Sequence, residues 1–176
     1  MRRSKNVEDR WMRLTHLDER GRPRMVDVSD KEPVFRTARA RGTIILPDNV
    51  SKYLEEKGSP KGNILNTAVV AGIQAVKNTP SLIPLCHPLA VQSADISFEL
   101  TGSELVCRCS VSAEAKTGFE MEALTGVAVA LLTVYDMLKA AGKNMVIGDI
   151  RLEEKTKGTN HVDLSGRFPR SEGERD

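Results

Sequence analysis

The sequence predicts an α+β fold with the element order βαββαβ, in which an antiparallel sheet carries both helices on one face. Two long stretches have the 3.6-residue periodicity of amphipathic helices, and four stretches alternate apolar and polar residues as half-buried strands do. This order of strands and helices is the ferredoxin-like arrangement. A chain of 176 residues is long enough to build one such domain around its own core.

The first half of the chain supplies the first strand and the first long helix. Residues 34–47 have the pattern of an extended strand, and residues 48–56 that of a short helix. The long helix is expected to begin at Asn63, which is a good N-cap residue. It is expected to end at Pro80, because proline cannot continue a helix.

The second half supplies a hairpin, the second long helix and the last strand. Residues 90–100 and 105–112 alternate as strands on either side of a turn, and Cys107 and Cys109 fall on the apolar face as small core residues. The last strand is expected over residues 145–152. The second face of the sheet is not uniformly polar, so we expect it to be buried in an oligomer.

Composition and charge exclude several classes of protein. The net charge of +2 is too small to indicate a nucleic-acid-binding protein, and aromatic residues, at 4%, are too few to stack bases. The three cysteines are odd in number and lack CxxC spacing, which argues against a disulfide framework and against a structural zinc site. No apolar run approaches the roughly 18 residues that span a membrane, and the start lacks the apolar segment of a secretory signal. We therefore expect a cytoplasmic protein without a metal or other cofactor.

The domain organisation expected from the sequence is simple. Residues 1–13 are charged and aperiodic, and residues 159–176 are polar, so both are expected to be flexible tails. A single domain is expected over residues 14–158.

The second long helix, over residues 121–141, has one side that is a candidate site. Glu122, Asp136 and Lys139 fall on a narrow polar stripe, and the residues around it are small or apolar rather than long and charged as on an ordinary solvated face. Small residues such as Gly126 let another surface come close. Asp136 and Lys139 are one helical turn apart, so each can shift the pKa of the other.

Cationic residues elsewhere are candidates for binding a polyphosphate. Arg36 and Arg39 lie on opposite faces of the first strand, and each guanidinium offers a planar fork of donors to phosphate. Edge-strand charges that deter aggregation are an equally good interpretation of these arginines. Lys61 lies beside a glycine at a helix N-terminus, where the macrodipole favours an anion, although the full Walker spacing is absent.

A loop bracketed by two prolines carries Leu85, Cys86 and His87. A metal site would need further ligands nearby, and a cysteine nucleophile would need to face the histidine, which sequence neighbours rarely do. We favour a histidine that is held rigidly to bind or transfer a proton. A purely structural histidine is nearly as good an interpretation.

Eight short motifs occur together in the order of one family. They are LTH at 14–16, MVDVS at 25–29, KG at 61–62, AGIQA at 71–75, LIPLCHPL at 82–89, TGFEMEALT at 117–125, YDM at 135–137 and MVIG at 145–148. The chain resembles the MoaC family, the cyclic pyranopterin monophosphate synthases of molybdenum cofactor biosynthesis. The resemblance extends from about residue 14 to residue 157.

The resemblance implies a ferredoxin-like subunit, a homohexamer built as a trimer of dimers, and active sites at the dimer interface. It implies a lyase that converts (8S)-3',8-cyclo-7,8-dihydroguanosine 5'-triphosphate to cyclic pyranopterin monophosphate and releases pyrophosphate. By motif, Asp136 matches the family's active-site acid, and Lys61 and Lys139 match other residues of its pocket. The residues expected to be catalytic are these three and His87. The residues expected to bind the substrate are Leu85, Cys86, His87, Glu120, Met121, Glu122, Arg36, Arg39 and Lys155, the two arginines on the reasoning given above.

Two positions depart from the family pattern. Val69 stands where an arginine is expected, and KTKGT at 155–159 stands where a Gly-Gly-Lys-Ser-Gly loop is expected. One distance also bears on the site, because the spacing between Glu122 and Asp136 corresponds to about 21 Å on a straight helix. We therefore predict a site that two subunits build together.

Two other functions remain in competition with the enzyme. The same fold serves as a ligand-sensing module in oligomers, and such a module would bind a nucleotide tightly without turnover. The arginines near the start suggest a nucleic-acid-binding protein, which would shift nucleic acid in a gel at moderate salt. Neither alternative accounts for the co-occurring motifs.

Overall fold

The structure is a computed structural model that describes residues 15–18, 20–56 and 58–158, without the side chains of residues 53, 56 and 58–63. The two predicted tails, residues 1–13 and 159–176, lie outside the described residues. The elements are β1 (Val34–Ile45), α1 (Asp48–Glu56), α2 (Gly58–Leu82), β2 (Ser93–Thr101), β3 (Glu104–Ala115), α3 (Glu120–Leu138) and β4 (Val146–Lys157).

The four strands form one antiparallel sheet in the order β2-β3-β1-β4. α3 lies across β1, β3 and β4, and α2 packs beside α3 and against β2, so both long helices cover the same face of the sheet. This confirms the predicted α+β fold and its ferredoxin-like topology. The short helix α1 contacts α2 and is an addition to the βαββαβ pattern.

The core lies between the sheet and the two long helices. β1 contributes Ala38, Ala40 and Ile44, which are fully buried. Cys107 and Cys109 of β3 are buried in the same layer, as the alternation of the hairpin predicts. Burial raises the pKa of both thiols, that of Cys109 to about 12, so they act as small apolar side chains.

The two long helices approach each other closely because small residues line their crossing. A Cβ atom on Gly126 of α3 would lie 2.7 Å from Cγ2 of Val76 on α2 and 2.9 Å from Sγ of Cys109 below. The prediction that Gly126 admits a neighbouring surface is thus confirmed, and that surface is α2 of the same chain.

The crossing of α2 over α3 also corrects the predicted polar stripe. The predicted stripe groups Glu122 with Asp136, but Glu122 is only 3% exposed. Gly126, one helical turn after Glu122, packs against Gly72 and Val76 of α2, so this part of the stripe faces a neighbouring helix rather than solvent. Asp136, beyond the crossing, has a side chain that is 71% exposed.

The predicted boundaries of α2 and of the end of β4 are wrong. α2 begins at Gly58 and continues through Pro80 to Leu82, because a proline this close to the C-terminal end removes one hydrogen bond without stopping the last turn. β4 continues to Lys157 rather than ending at Leu152. Two register shifts against β1 and a positive φ at Asp149 disturb its alternation, so the apolar pattern stops before the hydrogen-bonded strand does.

Among the described residues, α3 is the one helix long and apolar enough to cross a membrane. The expectation that no segment approaches this length was therefore too strict. Eight of its 19 residues are buried within the fold. The core helix of a globular protein meets the same criterion.

The face of the sheet away from the helices is charged rather than apolar. Its side chains form ion pairs across neighbouring strands. These are Arg39–Glu154 at 3.1 Å, Arg41–Asp149 at 3.3 Å and Arg108–Glu99 at 2.8 Å. The expected burial of this face in an oligomer stays a prediction.

Candidate active site

One end of the sheet gathers most of the site residues predicted from the sequence. The start of β1, the ends of β3 and β4 and the start of α3 meet there around a cavity of about 250 Å³. Three of the predicted residues, Arg36, Glu120 and Lys155, line this cavity together with Lys157. We call it the cationic cavity, because three of these four charged side chains are positive.

Arg36 is held in place by the main chain of its neighbour strand. Its Nε donates to the carbonyl oxygen of Ala115 at 3.0 Å, and its Nη2 donates to that of Lys116 at 3.3 Å. These bonds use two of the five N–H groups of a guanidinium and fix its plane at the wall of the cavity. Arg36 is therefore positioned before any ligand arrives.

Glu120 and Lys155 join the start of α3 to the end of β4. Lys155 Nζ donates to Glu120 Oε1 at 3.0 Å. Partial burial acts to raise the pKa of Glu120, but the hydrogen bond from Lys155 and the charge of Arg36 outweigh it and hold that pKa below its usual value. Glu120 is thus an ionised counter-charge within the cationic cavity at neutral pH.

His87 lines a second cavity, of about 400 Å³, next to the first. Its Nε2 lies 2.8 Å from the carbonyl oxygen of Val26. A carbonyl only accepts, so Nε2 carries the hydrogen and Nδ1 is the nitrogen that can accept a proton. This anchor fits the favoured interpretation, in which a rigidly held histidine binds or transfers a proton.

Cys86, which precedes His87 in the chain, lies near Glu122. Burial raises the pKa of the Cys86 thiol, and the nearby carboxyl of Glu122 raises it further, so the thiol stays protonated at neutral pH. Burial, assisted by the charge of Glu120, raises the pKa of Glu122 to about 6 against the stabilising effect of its own backbone N–H. A carboxyl with this pKa exchanges a proton near neutral pH, as a general acid or base must.

The two cavities are neighbours along the segment that joins β3 to α3. Thr117 lines the cavity of His87, and Gly118 lines the cationic cavity. The other predicted residues of this end are Leu85, which is half-buried, and Met121, which is 37% exposed. A ligand with an anionic part and a ring could occupy both cavities at once.

Asp136 and Lys139 lie at the opposite end of α3. Lys139 Nζ donates to Asp136 Oδ1 at 2.5 Å, and this hydrogen bond raises the pKa of Lys139. The expectation that the two residues tune each other is confirmed for the lysine. A straight helix places Asp136 about 21 Å and Lys139 about 26 Å from Glu122. Neither residue lines either of the two cavities.

Two further residues predicted for the site, Arg39 and Lys61, are not among those that the structure places at the two cavities. Arg39 projects from the face of β1 opposite to Arg36 and pairs with Glu154 on β4. Lys61 belongs to the first turn of α2, but its side chain lies outside the described residues.

Sequence comparison now gives the family. The profile of the MoaC family matches residues 25–158, a segment that contains both cavities and all of α3. The chain belongs to the MoaC family.

Individual relatives agree with this membership in the MoaC family. The cyclic pyranopterin monophosphate synthase of Streptomyces avermitilis is 50% identical over 146 residues, which cover 83% of this chain and 86% of the relative. That of Desulfitobacterium hafniense is 48% identical over 162 residues, covering 92% and 96%. The probable cyclic pyranopterin monophosphate synthase of Pyrococcus abyssi is 49% identical over 152 residues, covering 82% and 95%. The resemblance inferred from the eight motifs is confirmed.

Within this MoaC chain, sequence reasoning missed two lysines of the site. Lys116 donates from Nζ to the carbonyl oxygen of Ser29 at 2.7 Å and lines the cavity of His87. Lys157 lines the cationic cavity. A strand continued beyond Leu152 would have placed Lys155 and Lys157 on one face, and that was the available signal.

Val69, which stands where the MoaC family pattern has an arginine, fits its surroundings in the structure. Val69 is half-buried and packs against the hydrophobic core, where an arginine would have to leave that position for solvent.

Proposed function

We propose that this chain is a cyclic pyranopterin monophosphate synthase, a lyase of molybdenum cofactor biosynthesis. Its substrate is the cyclised dihydroguanosine triphosphate, and its products are cyclic pyranopterin monophosphate and pyrophosphate. The observation that carries the proposal is the meeting of a cationic cavity with an anchored histidine, in a chain whose close relatives bear this name.

The rearrangement needs several proton transfers, because one ring is opened and another is closed. We assign these transfers to His87, Asp136 and Lys139, with Lys61 as a further acid. His87 suits the task because Nδ1 remains available while Nε2 is bound to Val26. The Asp136–Lys139 pair offers a carboxylate and an ammonium group that are joined by a hydrogen bond.

The triphosphate requires cations, because closing the cyclic phosphate expels pyrophosphate and charge develops on the leaving group. Arg36 and Lys155 supply two of these cations in the cationic cavity. Lys61 supplies another from the start of α2. Arg39 lies on the opposite face of the sheet and binds the triphosphate at the active site of a neighbouring subunit.

The remaining residues of this end bind and shape the ring system of the substrate. Leu85 and Met121 supply apolar surface, and Cys86, with its protonated thiol, contributes shape and a weak donor rather than a nucleophile. Glu120 and Glu122 supply carboxyl groups at the start of α3.

The active site is composed from two subunits of a homohexamer arranged as a trimer of dimers. The separation of about 21 Å between Asp136 and Glu122 along α3 supports this arrangement, since both belong to the same predicted site. Exposed apolar side chains on the two long helices support a subunit contact as well; these are Met121, Leu132, Met137 and Val70. The partner of each chain is thus a second copy of the same chain. The proposed enzyme acts in the cytoplasm and binds neither nucleic acid nor a membrane.

Turnover of the cyclised dihydroguanosine triphosphate tests the proposal. Purified full-length chain should release pyrophosphate and form the pterin product in equal amounts. Glutamine in place of His87 should abolish both while the oligomer persists. Tight binding of the nucleotide by an oligomeric wild type, with neither product, would replace the enzyme with a ligand sensor.

A further inference from the structure

Lys157 stands directly opposite Arg36 where β4 pairs with β1. One step further along the two strands, Lys155 stands opposite Ala38, which belongs to the buried, helix-covered face. Side chains two residues apart on a strand share a face. The side chains of Arg36, Lys155 and Lys157 therefore all project to the helix side, and all three line the cationic cavity.

This arrangement is unfavourable without a ligand. Like charges directly opposite each other on neighbouring strands destabilise a sheet, and Arg36 and Lys157 are such a pair. Glu120 is the single carboxylate among the residues that line the cavity, and it already accepts from Lys155. Three cations face one anion, and a multiply charged anion would relieve the remaining repulsion.

The position of Lys157 is set by the sheet rather than by a loop. The family pattern has a glycine-rich loop here, whereas this chain continues β4 in register to Lys157. The next residue, Gly158, donates its N–H to the carbonyl oxygen of Phe35 at 2.9 Å and closes the strand end. The backbone of Lys157 is thus ordered by the ladder, and its exposed side chain lines the cavity.

We propose that Lys157 is a further polyphosphate-binding residue, specific to this chain's version of the last strand; this rests on the function proposed above. In that reaction a hydroxyl group of the substrate gives its proton to a base of the site, and its oxygen bonds to the α-phosphorus. The bond from the α-phosphorus to its bridging oxygen breaks, and the electron pair leaves with pyrophosphate. Arg36 provides a fixed fork of donors for this leaving group, and Lys155 and Lys157 provide mobile point charges.

The test measures binding of inorganic tripolyphosphate by titration calorimetry on the full-length oligomer. Lys157→Gln should weaken binding about tenfold, and Lys157→Arg should restore most of the affinity. Lys77→Gln is the matched control, because Lys77 is exposed on α2 away from the cavity and the substitution changes the net charge equally. Equal affinities of the Lys157→Gln variant and the wild type, or equal losses in Lys157→Gln and Lys77→Gln, would overturn the proposal.

The melting temperature with and without tripolyphosphate distinguishes an anion-binding lysine from a merely structural one. In phosphate-free buffer the Lys157→Gln variant should melt no lower than the wild type, because a repulsive pair is removed. Added tripolyphosphate should raise its Tm by less than half as much as it raises that of the wild type. A lower Tm without anion, with an unchanged shift on adding it, would make Lys157 a structural residue and overturn the proposal.

Turnover separates this inference from the proposed function. If the wild type converts the cyclised nucleotide and Lys157→Gln binds tripolyphosphate normally, the inference alone fails. If Lys157→Gln loses tripolyphosphate binding and the wild type makes no product, the anion site stands and the assigned reaction fails.

Discussion

Gly72 of α2 and Gly126 of α3 meet where the two long helices cross. A Cβ atom on Gly72 would lie 2.9 Å from the carbonyl oxygen of Gly126. This contact sets the distance between the helices one turn after the buried Glu122.

Gly126→Ala should destabilise the protein by about 1–3 kcal/mol, because the added methyl group meets Val76 and Cys109 within a packed core. Urea unfolding at a fixed protein concentration measures the effect. Gly148→Ala is the matched control, since a Cβ there would meet nothing within 4 Å. An equal loss in the two variants would mean that the helix crossing is not the tight contact described.

Glu122→Gln should change how stability depends on pH. The pKa of Glu122 is about 6 in the folded chain against 4.5 as the ordinary value, so folding favours the protonated form. The stabilisation of the folded state by the protonated carboxyl is complete below pH 4.5 and is lost as the pH rises through 6. The free energy of unfolding falls by about 2 kcal/mol over this range. The glutamine variant should therefore lose less stability than the wild type between pH 4.5 and 7.5.

The measurement is the free energy of unfolding from denaturant titrations at several pH values. Glu55→Gln, at an exposed position on α1, provides the control and should follow the wild-type curve. If the Glu122→Gln curve also runs parallel to that of the wild type, the buried carboxyl does not have the raised pKa described.

Asp136→Asn should reduce turnover by about 100-fold or more, because a positioned proton-transfer group is lost. Its Tm should stay close to that of the wild type, since the side chain is largely exposed and its ion pair with Lys139 is solvated. Steady-state pyrophosphate release and a thermal melt measure the two effects. Asp95→Asn, the same substitution at an exposed position of β2, should leave both unchanged. Full activity in the Asp136→Asn variant would remove that end of α3 from the reaction.

Mixing two inactive variants should restore activity if the site is composed of two subunits. In a dimer of Asp136→Asn with His87→Gln, one site carries both changes and the other carries neither. Random reassembly should therefore return about a quarter of wild-type activity. Mass spectrometry of the oligomers verifies the exchange of subunits. Verified mixed oligomers without activity would place both residues in the same subunit's site.

The sequence predicted the fold well because its signals were local and repeated. The alternation around Cys107 and Cys109 and the apolar arc of α3 each follow from contacts that recur at a fixed spacing. The last strand was predicted short because its two register shifts against β1 move side chains between faces, and no pattern of period two survives them.

The site was predicted by motif more completely than by geometry. His87 was singled out as a proton-transfer group, but its anchor is the carbonyl oxygen of Val26, which has no side-chain signature in a sequence. The burial of Glu122 depends on tertiary contacts at the start of α3, which helical periodicity in the sequence does not reveal. Lys157 was missed because its role depends on the true end of β4.

β4 is also an edge of the sheet, since within the described chain it pairs with β1 alone. An edge strand offers unpaired main-chain groups to strands of other molecules, and charged side chains oppose such pairing. This edge is therefore kept from adding strands by Glu153, Glu154, Lys155 and Lys157, and the two lysines also line the cationic cavity. Variants that neutralise several of them at once should aggregate through this edge, so the soluble oligomer has to be quantified before a loss of turnover is assigned to the phosphate site.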